Sequence, residues 1–387
     1  MPTITPPLSL YVHIPWCVKK CPYCDFNSHA REGVMPVDAY VDAVIADLDR
    51  DVERFGEAIG AREIVSVFFG GGTPSLFAPD EIARLVDGAA QRLAFRDGVE
   101  ITMETNPGTV EHGRFDEYLR AGVTRISFGV QSFDDDKLRR LGRIHSANEA
   151  DRAIKTAQDA GFDNINLDLM YALPGQSLEG ALADVERAIA FAPAHVSHYQ
   201  LTLEPNTLFA AKPPPLPDVD AAWDMQEACQ QKLAEGGFAQ YEVSAYARDG
   251  RRCAHNLNYW AFGDYFGIGA GAHGKLTDAD GRVVRSTKVK LPRSYLERAA
   301  RRDAFGTFDP VATEQLPFEF MLNALRLNDG VSMDAFERGT NLSRSDIAKP
   351  LAQARERGWL EADASALRPT ESGRRFLNDL IALFLPD

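Results

Sequence analysis

A chain of 387 residues, 45% hydrophobic and 25% charged, is long enough for one large domain and a smaller one. Its formal charge of −14 excludes the basic face that nucleic acids require and sets it against anionic membrane surfaces. No apolar run approaches the roughly 20 residues of a membrane span, and five cysteines, three of them clustered, make no disulfide framework.

The first residues lack the basic and apolar regions of a secretory signal, so a cytoplasmic location is expected. A strand-like run then ends in Tyr11-Val-His-Ile-Pro-Trp-Cys17, followed by Val-Lys-Lys-Cys21-Pro-Tyr23-Cys24-Asp-Phe26. Lys19 and Lys20 lie between the first two thiols, a setting expected to favour thiolates. Three thiolates on one loop suit three corners of a [4Fe–4S] cubane. Such clusters usually take four cysteines, so one iron is left open as a Lewis-acid site for a small chelating ligand. The competing reading is a zinc loop completed by His13 or His29, although structural zinc prefers four ligands in closely spaced pairs. Cys229 and Cys253 lie far away and share no spacing logic with the loop.

Beyond the loop, apolar spacing predicts a helix over 37–55 and a buried strand over 63–69, then Gly70-Gly-Gly-Thr-Pro-Ser75 and a helix over 79–93. The alternation continues with strands predicted over 99–104, 123–129, 164–170 and 196–202. The intervening helices are predicted over 113–121, 134–141, 147–160, 178–191 and 219–235. Six strand–helix units imply a parallel sheet with right-handed crossovers. The unusual residues fall late in these strands or just after them. Gly71, Gly72 and Thr73 follow the second, Glu104 closes the third, Gln131 follows the fourth, and Asp168 sits late in the fifth. That is the face where barrel enzymes place their chemistry.

The proline-rich run Ala211-Lys-Pro-Pro-Pro-Leu-Pro217 predicts a stiff connector. Strand-like pieces over 239–245, 265–268 and 282–286 follow it. From Leu316, short helices are predicted over 317–327, 332–339 and 343–357, then a hairpin of 359–361 with 366–369 and a last helix over 371–385. The expected organisation is an α/β chain: a barrel unit over 1–210, a mixed α/β extension over 211–310, and a winged-helix-like unit over 311–387. In so acidic a chain the last unit reads as a lid or docking module rather than a DNA reader.

The Cys-x-x-x-Cys-x-x-Cys run after a strand is the signature of radical S-adenosylmethionine (SAM) proteins, in which SAM chelates the fourth iron. The flanking Tyr11–Cys17 and Cys21–Phe26 segments resemble the branch that holds the oxygen-independent coproporphyrinogen III dehydrogenases and a haem-chaperone relative. The resemblance runs from about Leu8 to near the C-terminus and implies a partial (β/α)6 barrel. It also implies a SAM site at Tyr11, Tyr23, Gly71, Gly72, Thr73, Glu104, Gln131, Arg143 and Asp168, with Thr202 a looser match. The glycines are expected to let strand-end backbone approach the methionine amino group.

The dehydrogenases carry a further cysteine two residues after the third, where Phe26 stands here, and a long N-terminal extension where this chain has ten residues before Tyr11. Both departures favour the chaperone. So does Cys253-Ala-His255-Asn256-Leu-Asn-Tyr259-Trp260, which matches an H-N-x-x-Y-W motif associated with haem. His255 is the candidate iron ligand, with Tyr259 and Trp260 stacking on the macrocycle. His273 competes for the ligand role. No residue is assigned a catalytic role.

The expectation is therefore a haem carrier with a [4Fe–4S] cluster and SAM, delivering haem to acceptor proteins, and with limited SAM cleavage compatible with it. The alternative is a SAM-dependent oxidoreductase acting on a porphyrinogen. If SAM is cleaved, the resemblance implies an electron donor such as a flavodoxin or ferredoxin. Contact with a membrane would come peripherally, through the acceptor.

Overall fold

The six predicted strand segments form the centre of one twelve-stranded sheet in the computed structural model, which describes residues 6–109 and 114–386. The barrel strands are β1 (Leu8–Ile14), β2 (Ile64–Gly71), β3 (Phe95–Thr105), β4 (Arg125–Gln131), β5 (Ile165–Tyr171) and β6 (His195–Gln200). They lie side by side in chain order, every adjacent pair parallel. β1 is buried at nearly every position, as expected of a parallel strand covered on both faces.

Helices α1 (Val37–Ile59), α2 (Pro79–Ala90), α3 (Phe115–Arg120), α4 (Asp135–Arg140), α5 (Ala147–Asp159) and α6 (Leu178–Ala190) make the crossovers. α5 begins at a capping box, with the Ser146 side chain accepting from the Glu149 amide while Glu149 returns to the Ser146 amide. The start of the predicted 113–121 helix, Gly113, lies outside the described residues; its helical part is Phe115–Arg120.

The sheet does not stop at the barrel. After the short helix α7 (Leu208–Ala211) and α8 (Val219–Glu235), the strands β7 (Ala239–Gln240) and β8 (Ala245–Ala247) add antiparallel beside β6. At the other edge β9 (Asp264–Ile268) pairs parallel with β1, Leu8 opposite Asp264 and Val12 opposite Ile268. From there β10 (His273–Thr277), β11 (Val283–Lys288) and β12 (Gly306–Pro310) continue antiparallel. Between β8 and β9 runs the two-turn helix α9 (Ala254–Trp260).

The C-terminal helices are α11 (Leu316–Ala324), α12 (Met333–Thr340) and α13 (Ala348–Glu356), preceded by α10 (Pro292–Arg301) on the extension. They share a separate apolar cluster around Phe320, Phe336 and Leu351. In the expected hairpin Leu360 bridges Pro369, while Ala366–Leu367 pairs with Val331–Ser332. The single helix expected over 371–385 is two, Glu371–Arg375 and Leu377–Ala382. Phe376, at φ −107° and ψ 37°, leaves helical geometry and divides them.

Candidate functional site

A cavity of about 1460 Å³ opens at the C-terminal ends of the barrel strands. It gathers the cysteine loop, the glycine turn, the polar residues of β3 to β5 and the start of α9 around one space.

The loop leaves β1 at Pro15. The Gly72 amide donates to the Ile14 carbonyl (2.7 Å) and the Thr73 amide to the Trp16 carbonyl (2.8 Å). These bonds explain the glycines. Gly71 stands at φ +109°, and a Cβ there would fall 2.4 Å from the His13 ring; at Gly72 it would fall 2.5 Å from the Trp16 carbonyl oxygen. The missing Cβ atoms thus admit the chain's own β1 end, a different use from the ligand approach expected of them.

The far side of the loop is held by Asn27. Its side-chain amide donates to the Ala270 carbonyl (2.9 Å) and the Lys290 carbonyl (2.8 Å), and its own carbonyl accepts from His13 Nε2 (2.9 Å). Sequence reasoning passed over Asn27, whose partners lie at the opposite end of the chain.

Cys17, Cys21 and Cys24 are all half-buried on the cavity wall. Burial raises the Cys17 and Cys24 thiols above their usual range, and at Cys24 it outweighs Lys20. The lysine-favoured thiolate expected from sequence is not what the loop alone provides: the Lys20 ammonium donates to the Phe26 carbonyl instead (3.1 Å). Donors nevertheless surround the sulfurs. Arg143 Nη1 lies 3.7 Å from Cys21 Sγ, and the Ser28 hydroxyl 3.6 Å from Cys24 Sγ.

Among the described residues no three His, Cys, Asp or Glu side chains converge where a single ion would sit. A structural zinc needs such convergence, whereas a cubane takes each thiolate at a separate iron. His13, one of the two proposed zinc ligands, has both ring nitrogens engaged, by Tyr11 Oη (2.9 Å) and Asn27. The donor set fits the cluster.

Behind the thiols, the Glu104 carboxylate accepts from the Gly71 amide (3.1 Å). Burial, reinforced by Asp168, pushes its pKa up to about 8. Asp168 accepts from Asn166 (2.7 Å) and Ser127 (3.2 Å), and burial raises it as well. β5 runs on to Tyr171, so Asp168 lies at mid-strand rather than near its end. Gln131, at a bulge with φ 70°, accepts from the Tyr199 hydroxyl (3.0 Å).

Arg143 follows α4, and its Nη2 donates to the Gly129 carbonyl (2.6 Å). Tyr11, Tyr23 and Thr73 join the same wall. Thr202 does not. It lies past β6 on exposed chain, its hydroxyl donating to Glu204 (2.7 Å).

α9 closes the remaining side. The Glu100 carboxylate caps it from β3, accepting from the Ala254 amide (2.9 Å). The His255 ring packs 5.0 Å from Phe68, and its Nδ1 shares a hydrogen bond with Ser66 Oγ (3.1 Å), leaving Nε2 without a bond in the described structure. Burial, with Arg125 nearby, lowers its pKa to about 3, so the imidazole is neutral and keeps a lone pair. Asn256, Tyr259 and Trp260 also line the cavity, the two rings 4.8 Å apart and edge-on, with Trp260 Nε1 buried and unpartnered. His273 lies at the rim, its Nδ1 near Thr287 Oγ1 (3.3 Å).

A parallel half-barrel carrying three thiols on the loop after its first strand defines the class. Residues 11–188 match the Radical SAM superfamily, and residues 311–376 match the HemN C-terminal domain. Over 382 residues, 99% of both chains, the protein is 50% identical to the heme chaperone HemW of Haemophilus influenzae. It is 52% identical to that of Escherichia coli over the same share. The chain belongs to the HemW family of radical SAM proteins. Its fold is also that of the coproporphyrinogen III oxidase HemN of Escherichia coli, described as a radical SAM enzyme. The TM-score is 0.81 at 23% identity, over 98% of this chain and 90% of that one. Among the described residues no helix is long and apolar enough to cross a membrane.

Proposed function

We propose that this protein is a cytoplasmic haem carrier. Cys17, Cys21 and Cys24 hold a [4Fe–4S] cluster whose fourth iron takes SAM, and the α9 segment receives haem for transfer to acceptor proteins. The observation that carries the reading is the 50% identity, over 99% of both chains, to a protein named as a heme chaperone.

The geometry supports it at the α9 end of the cavity. His255 is neutral and oriented by Ser66, and its Nε2 lone pair would be available to hold haem iron. Tyr259 and Trp260 supply flat apolar surface beside it. Toward SAM, Glu104 and Asp168 accept from an ammonium or a ribose diol, and Arg143 pairs with the methionine carboxylate. When bound, the cluster would supply a Lewis-acidic iron for SAM to chelate. Glu104, which keeps its proton up to about pH 8, is held as a neutral group in the ligand-free site.

The 311–387 unit acts as a lid or docking module for the acceptor, through which any membrane contact is made. A flavodoxin or ferredoxin supplies electrons when SAM is cleaved.

Phe26, 59% exposed on the cavity rim, stands where the dehydrogenases carry a further cysteine, and it favours the carrier over porphyrinogen oxidation. The test is to titrate the anaerobic, cluster-reconstituted protein with haem and, separately, with coproporphyrinogen III plus SAM and reductant. A shifted Soret band without conversion to protoporphyrinogen IX supports the carrier. Multiple-turnover decarboxylation would overturn it in favour of the oxidoreductase.

A further inference from the structure

Three lysine or arginine side chains are buried among the described residues: Lys275, Lys288 and Arg125. Lys288 touches Asp47 (2.6 Å) and Asp51 (2.7 Å), and Lys275 touches Asp264 (2.9 Å). Among the described residues Arg125 touches no carboxylate. It is 2% exposed, its Nε is buried without a hydrogen-bond partner, and the two acids near it, Glu100 and Asp168, bear on it only through space, while burial keeps the neighbouring Cys253 thiol and Tyr241 phenol protonated and neutral.

Both acids have other partners, Glu100 through its Oε1 alone. Glu100 accepts from the Ala254 amide, the His255 amide (3.4 Å) and Cys253 Sγ (3.4 Å). Asp168 accepts from Asn166 and Ser127. A guanidinium cannot shed its charge as a buried lysine can, and it offers five donors in a planar fork. Leaving it unpaired in the interior is costly. Arg125 also lines the cavity, at the start of β4. An unpaired buried guanidinium facing a ligand space fits a carboxylate brought by the ligand.

Two regions of the cavity each carry an arginine. Arg143, after α4, lies against the cysteine loop, 3.7 Å from Cys21 Sγ, where the methionine carboxylate of SAM is wanted. Arg125 lies deeper, between Asp168 and α9: its charge bears on both Asp168 and His255, and Glu100 holds the α9 amides next to it. We propose that Arg125 anchors a propionate carboxylate of the haem that α9 receives, a subsite that rests on the haem-carrier reading. The propionate completes a cation that the fold alone leaves without a partner.

The test compares haem with its dimethyl ester, in which both propionates are uncharged, by Soret titration of the full-length, reconstituted protein. The wild-type protein should bind the diacid about ten-fold or more tighter than the diester, the size of a charge-assisted pair. Arg125→Gln should erase most of that preference while leaving diester affinity near the wild-type value, and Arg125→Lys should restore part of it.

Equal wild-type affinity for diacid and diester overturns the inference without any variant. So does an Arg125→Gln protein that discriminates as well as the wild type. Loss of the SAM-induced change in the cluster EPR signal in Arg125→Gln would give the carboxylate to SAM and overturn it as well. A wild-type protein that binds neither form of haem overturns the carrier reading, and this subsite with it.

Discussion

Two buried charged regions lie on opposite sides of β1, and they are built to different rules. Under the extension, Asp47 and Asp51 of α1 surround the Lys288 ammonium. The Tyr295 hydroxyl (2.7 Å) and the Gly269 amide (3.1 Å) complete Asp47. Nearby, Asp264 takes Lys275 and Arg62 (each 2.9 Å) together with the Thr277 amide and hydroxyl. Every charge there has a contacting countercharge inside the chain, although Arg62 Nε is buried without a hydrogen-bond partner. Across the sheet, in the barrel, Arg125 has none in contact among the described residues and Trp260 Nε1 is unpartnered, while burial, reinforced by Asp168, raises the Glu104 pKa. Satisfied buried charge fastens the extension to α1; unsatisfied buried charge marks where a ligand is expected.

The largest effect that could sharpen this contrast is all-or-none. Replacing Cys17, Cys21 or Cys24 by Ala should abolish the [4Fe–4S] absorption and iron content, because no neighbouring thiol faces the loop. Cys229→Ala and Cys253→Ala should leave both intact, since both lie buried away from it. Full iron content in Cys21→Ala would remove the basis of the site.

On the satisfied side, Lys288→Met strands two carboxylates and should cost about 3–5 kcal/mol, read as a lowered midpoint in denaturant. Arg125→Met strands no contacting partner and should cost far less in the ligand-free protein. If the two variants lose equal stability, the distinction between the regions fails.

Arg143→Ala should weaken SAM binding by about ten-fold or more, the loss of a charge-assisted pair, with iron content unchanged. The measurement is the SAM-dependent change in the reduced-cluster EPR signal.

The smallest effect is a pH slope. The Glu104 pKa lies near 4.5 in an unfolded chain and about 8 in the fold, so between those values the folded state holds the extra proton. Stability should therefore fall as pH rises from about 4.5 to about 8, with no further loss from this group above that. Glu104→Gln should flatten that part of the profile. An unchanged profile would place the buried proton elsewhere.

Much of the barrel was legible because each strand–helix unit carries its own signal: a short apolar run, a turn, then helical spacing. The cysteine loop was legible for the same reason, since its three ligands are local. Pairings between distant segments were not. Nothing in Asp264–Ile268 says that it adds parallel to Leu8–Val12 rather than forming a separate unit, because register is settled by partners and not by pattern.

Arg125 and Glu100 were missed although a signal existed. Each is a charged residue in a strand read as barrel interior, and such a residue needs a reason to be there. The split of the last helix at Phe376 left no mark in the apolar spacing.

The parallel pairing of β1 with β9 also orders events on the ribosome. When β1 emerges it can join β2 at once, but its other edge stays open until residues 264–268 have been made. Asn27 waits longer, since its two acceptors belong to Ala270 and Lys290. For most of synthesis the nascent chain therefore carries three thiols on a tether fastened at one side, next to an apolar strand with an unfilled edge. The rigid thiol-bearing loop is one of the last features of the half-barrel to be finished, although it is among the first to be translated.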